Sequence, residues 1–148
     1  MVALVLALLL VAPTSPVPDP ATARILNSGS TNSASYTISV GRDGWIDIGV
    51  RGDVTKKRIA KKLATQLYAD LARAGSLAAL PHGMCMKSVS FGTRTTIVYN
   101  SESSPDLSCA QNAVERALNA DANAIANAAN IVTHSQFRRV LPGSRVPL

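Results

Sequence analysis

Between residues 36 and 50, apolar side chains fall on every second position twice over. Tyr36, Ile38 and Val40 alternate with Thr37 and Ser39, then Ile46, Ile48 and Val50 alternate with Asp47 and Gly49. A period of two is that of a half-buried strand, so the stretch predicts a hairpin. With the three-residue connection Arg42-Asp43-Gly44 and a left-handed Gly44, Val40 pairs with Ile46, Ile38 with Ile48 and Tyr36 with Val50. All six apolar residues then share one face, and a slip of one residue would divide them. The chain is committed to a sheet with one wet face and one face that other elements must cover.

From Asp53 the period becomes helical. Ile59, Leu63, Leu67 and Leu71 recur every four residues, with Asp53 or Thr55 as candidate caps and Gly75 as the stop. A loop around Pro81-His82-Gly83 leads to an expected second hairpin, residues 84–91 with 95–99, in which Val89 pairs with Ile97 and Phe91 with Thr95. An alanine-rich helix closes the domain. It starts near Pro105 or Cys109, capped by Ser104 or by a Ser108/Gln111 capping box, and runs to Ile131. The order ββαββα predicts an α+β fold, a two-layer sandwich with a four-stranded antiparallel sheet and two helices on one face. Residues 24–34, rich in Ser, Asn and Gly, read as an extended lead-in with a short strand at Ile25 and Leu26. Residues 35–132 read as a single α+β domain, and 133–148 as a flexible basic tail.

The first 23 residues predict a secretory signal. An apolar run from Val2 to Ala12 is followed by a proline-rich segment and the small triplet Ala21-Thr22-Ala23, placing cleavage before Arg24. The run lacks a basic residue ahead of it, and at eleven residues it is well short of the roughly 20 that span a bilayer. A retained anchor is the alternative. Export to the periplasm or the medium makes a disulfide the expected state of the only two cysteines, Cys85 and Cys109. With export read from the leader, the same pair also argues against a metal site built on His82 and these thiols. Lys and Arg number 15 against 9 Asp and Glu, a net charge of +6. An anionic partner is favoured on that ground.

Two features invite a binding role. Lys56, Lys57, Arg58, Lys61 and Lys62 place five cations in seven residues at an expected helix start, the end of a helix that already attracts anions. This predicts an anion site, set against the plainer reading of a solvated basic face. On the wet sheet face, Trp45 and Asp47 stand among small hydroxyl residues and form a candidate partner-binding surface. The plainer reading there is a tryptophan covering Gly41 across the hairpin. Nucleic acid is disfavoured, because no aromatics interleave the charges. The candidates for a partner are an anionic polysaccharide, a lipid surface or another protein.

Catalytic signals are thin. No nucleophile elbow, zinc-protease helix, Cys-x-x-Cys pair or phosphate-cradling glycine loop occurs, and no cofactor is implied. A small hydrolase would have to use His82 with Asp47 or Asp106. The segments Arg24 to Asn32, Phe91-Gly92-Thr93 and Ser104-Pro105-Asp106-Leu107-Ser108-Cys109 resemble those of small uncharacterised proteins exported by bacteria. That resemblance implies an exported setting and no particular activity. The expected function is therefore an exported, non-enzymatic binding domain, with a secreted hydrolase or a structural, inhibitor-like domain as alternatives.

Overall fold

Residues 21–131 are described by the structure, a computed structural model, as six strands and two helices. The strands are β1 (Ala23–Asn27), β2 (Tyr36–Val40), β3 (Trp45–Val50), β4 (Asp53–Arg58), β5 (Thr95–Tyr99) and β6 (Glu102–Ser103). The helices are α1 (Lys61–Ala74) and α2 (Ala113–Ala128). Most of the expected signal peptide and all of the expected tail, residues 133–148, lie outside the described residues.

The class is α+β, with an antiparallel sheet of six strands rather than four, ordered β4-β3-β2-β1-β5-β6. β2 and β3 pair in the register that their alternation dictates, Val40 with Ile46, Ile38 with Ile48 and Tyr36 with Val50. Gly44 takes φ +90° in the connecting loop, where Gly41 N–H donates to the Trp45 carbonyl at 2.8 Å. Ile25, Ile38, Ile46 and Ile97 from the sheet pack with Leu67, Leu71, Leu118 and Ile125 from the helices in one apolar core.

Three expectations are corrected. The lead-in supplies a central strand: β1 lies between β2 and β5, pairing Ile25 with both Ile38 and Ile97. The strand is short, but Arg24 to Asn27 each have a neighbour on both sides, and Ala23, Ile25 and Asn27 are all buried. Asn27 terminates it by donating to Thr95 Oγ1 (3.1 Å) and accepting from Gly29 N–H (2.9 Å).

The second correction concerns residues 53–58, which form β4 instead of the first turns of a helix. Arg51 (φ +53°) and Gly52 (φ +94°) make a two-residue turn with both φ positive, the geometry that lets a tight hairpin follow the sheet's twist. α1 begins only at Lys61, with Ala60 at its N-cap and no side-chain cap bond.

The third is the second hairpin. Residues 84–91 are not a strand, and β5 pairs with β1 and β6. Met84 and Met86 occupy even positions whereas Val89 and Phe91 occupy odd ones, so no strand could put all four on one face. The segment is tied elsewhere, since Cys85 is bonded to Cys109, with Cα atoms 5.5 Å apart. The order of elements is therefore ββββαββα, not ββαββα.

α2 also starts later than expected. Leu107–Cys109 form a single 3-10 turn in which the Asp106 side chain accepts from Ser108 N–H. Asn112 then caps α2 through a reciprocal box with Glu115, displacing the expected Ser108/Gln111 box. The buried stripe of α2 is Glu115, Leu118, Ala122, Ile125 and Ala126. Tyr68 joins the layers. Its hydroxyl donates to the Val40 carbonyl (2.6 Å) and accepts from Ala23 N–H (3.1 Å), while Arg42 stacks 4.0 Å from the ring centroid.

Candidate functional site

Both helices cover one face of the sheet and leave the other open. Strand alternation fixes what stands there. Lys56, Asp47, Ser39, Arg24 and Val98 are successive cross-strand partners, forming one row from β4 to β5. Val54, Gly49, Thr37, Leu26 and Thr96 form a second row, and Arg58 sits opposite Trp45 at the Trp45 end of the β3–β4 pair.

The open face brings together part of what the sequence singled out. Trp45 is 43% exposed, with the Arg58 guanidinium 5.8 Å from its ring centroid. Asp47 faces Lys56 at 3.6 Å. An exposed pair of this kind adds little stability, so it orients the two side chains more than it holds the strands.

The five-cation cluster does not form one site. Lys56 and Arg58 point to the open face. Lys57, their neighbour on β4, lies on the opposite face, where it lines a depression of about 400 Å³ with Thr55, Tyr36 and Ile48. Lys61 and Lys62 stand at the start of α1. Only these last two oppose the helix dipole, and α1 has no acidic residue in its first turn to offset them. For residues 56–58 the dipole argument lapses, because they belong to a strand.

Two arginines complete the open face, and sequence reasoning missed both. Arg51, in the β3–β4 turn, and Arg94, just ahead of β5, flank a depression of about 630 Å³. Leu26, Thr37, Gly49 and Thr96 line it as well. A turn residue and a loop residue carry no periodic signal, and nothing in the sequence says that β1 and β2 close the gap between them. A second depression, about 640 Å³, adjoins the first, sharing Ser28, Arg94 and Thr96, and reaches under the 84–89 segment.

Edge strands often carry lysines that block pairing with other chains, and this suffices for Lys56 and Lys57 on β4. It does not account for Arg24, which sits on the central strand with Ser39 and Val98 beside it. On the strands of the open face the charged residues are Arg24, Lys56, Arg58 and Asp47. With Arg51 and Arg94 added, the surface is strongly positive.

The residues considered for catalysis sit differently. His82 is exposed in the loop after Leu80. Asp47 faces Lys56, and Asp106 is engaged by Lys87, whose ammonium also donates to Ser108 Oγ and to the Thr93 carbonyl. Burial alone would raise the Asp106 pKa, but hydrogen bonds from Lys87, Ser108 and Thr95 N–H hold it below its ordinary value. By donating to Asp106, Ser108 and the Thr93 carbonyl, Lys87 clamps the 81–94 loop to the 106–108 turn. Among the described residues no group of His, Cys, Asp and Glu could hold a metal ion, and none of their helices is long and apolar enough to cross a membrane.

The most perturbed acid lies between the helices. Burial, a hydrogen bond with Asp70 and the like charge of that carboxylate push Asp121 up to about 7, with Arg73 opposing. Asp70 is itself buried and paired with Arg73 and Gln66. Comparison with protein-family models, curated proteins and solved structures gives no match.

Proposed function

We propose that the chain is an exported, non-catalytic domain that holds an acidic polysaccharide of the cell envelope against the open face of its sheet. The observation that carries the reading is the charge of that face: Arg24, Lys56 and Arg58 on the strands and Arg51 and Arg94 at the flanking turn and loop, against Asp47 alone on the strands. These cations extend from β4 to β5, five strands about 4.8 Å apart, or roughly 19 Å. That span suits an extended polyanion better than a single small ion. Small hydroxyls at Thr37, Ser39 and Thr96 can hydrogen-bond sugar hydroxyls, and Trp45 offers an exposed ring at one end. Export is supported by the Val2–Ala12 run with its Ala-Thr-Ala triplet and by the bonded Cys85–Cys109 pair.

Binding to polygalacturonate, measured at rising sodium chloride concentrations, tests the reading. Affinity is expected to fall steeply between 50 and 500 mM salt, as Coulombic association does when the Debye length shrinks. The Arg51→Glu/Lys56→Glu chain should bind at least about tenfold more weakly, whereas Lys61→Glu/Lys62→Glu, on the helix layer, should stay within about twofold. Salt-insensitive binding, or equal losses in both variants, overturns it.

A further inference from the structure

The loop between Leu80 and β5 carries an exposed apolar group that the open face does not use. Met84, Met86, Val89 and Phe91 are 95%, 103%, 86% and 56% exposed, four large apolar side chains within eight residues. Isolated exposed apolar residues need no explanation, but such a concentration marks a contact site.

The backbone behind these side chains is held. Cys85 is bonded to Cys109, and Lys87 donates to Asp106, Ser108 and the Thr93 carbonyl. Gly92 N–H closes a tight turn on the Ser88 carbonyl at 2.6 Å, and Ser30 Oγ donates to the Ser90 carbonyl at 3.0 Å. The loop therefore presents its apolar side chains on a fixed frame, and burying them in a partner costs little ordering of the main chain.

Charge selects the partner. The carboxylate that reaches the loop, Asp106, is paired with Lys87, and the exposed Arg94 adds a further positive charge beside it. Arg94 joins this loop to the positive sheet face, since the two adjoining depressions share it. Apolar side chains bordered by cations match the interface of a bilayer with acidic headgroups, where apolar area and electrostatic attraction add. Methionine side chains adapt to a fluid environment at small cost.

We infer that the 84–91 loop is a membrane-contact finger that docks the domain on a bilayer containing anionic lipid. This goes beyond the polysaccharide reading and uses a neighbouring surface that shares Arg94 with it. The apolar N-terminal run can also bind lipid, so the test needs a local readout. In the full-length chain, Phe91→Trp in a Trp45→Phe background makes residue 91 the only tryptophan. Its emission is expected to shift to the blue on vesicles of phosphatidylcholine and phosphatidylglycerol at 7:3, with little shift on pure phosphatidylcholine. With Phe91→Trp retained, adding Met84→Ser and Met86→Ser should raise the lipid concentration needed for half the shift about tenfold or more. The thermal melt should be unchanged, because both methionines are exposed.

No shift on the anionic vesicles, or an equal shift on both kinds, overturns the inference. So does an emission already blue-shifted without lipid in a chain that sizing chromatography finds dimeric, since a second copy would then cover the loop. Lys56→Glu/Arg58→Glu, introduced into the same background, should weaken polygalacturonate binding while leaving the vesicle shift in place, so the two readings fail separately.

Discussion

At the scale of single residues, two carboxyl groups carry opposite pH signatures. Glu102 accepts from Ser76 Oγ (2.9 Å), Leu77 N–H (2.7 Å) and Ala78 N–H (3.4 Å), and these donors, Ser76 first, hold it below its ordinary value. A lowered folded pKa stabilises above the unfolded value, and the gain is lost as pH falls through the folded one. Glu102→Ala should therefore lower the melting temperature at pH 7, with the gap closing in acid. Asp121 behaves inversely. Its pKa, raised to about 7, favours the fold most below the ordinary aspartate value, and the contribution is lost as pH climbs through 7. Asp121→Asn, which keeps the shape of the protonated acid, should gain about 1–2 kcal/mol at pH 8 and almost nothing at pH 4, after discounting for partial exposure. Denaturant titrations at the two pH values check this; an equal effect at both would contradict it.

Elements differ in how plainly the sequence announces them. The β2–β3 hairpin is legible because all its apolar residues share one parity, and pairing them fixes the register. The short strand at Ile25 and Leu26 is legible too, but its central place is not, because Ile25 and Leu26 are adjacent in a Ser- and Asn-rich stretch and that place comes from pairing with β5, about seventy residues away. β4 reads as helix because Lys56 to Ile59 suits either state, and the deciding feature is the Arg51-Gly52 turn. Trp45 and Asp47 could be put on the wet face from alternation alone, but Lys56 and Arg58 join them only through the β3–β4 pairing. Two consequences follow at this scale. α1 lacks a capping side chain, so Ala60→Ser should stabilise the protein by about 0.5–1 kcal/mol in denaturant titration. A chain beginning at Arg24, the expected cleavage product, lacks the buried Ala23 and its hydrogen bond to Tyr68. It should be about 1 kcal/mol less stable than one beginning at Ala21.

For the molecule as a whole, two restraints and one exposed surface define the account. The Cys85–Cys109 bond closes a loop across 24 residues and should contribute about 3 kcal/mol in the chain-entropy picture. Reduction is expected to lower the melting temperature by several degrees, and an unchanged melt would deny the bond a stabilising part. It also anchors the 84–91 loop beside the sheet, while the helices leave the opposite face to its cations. The central claim is that this face receives an acidic polymer, and amide NMR during titration with oligogalacturonate reads it most directly. The account predicts shift changes at Arg24, Leu26, Thr37, Ser39, Asp47 and Thr96, with the α1 and α2 amides unmoved. Changes confined to the helices, or none at saturating oligomer in low salt, would contradict it.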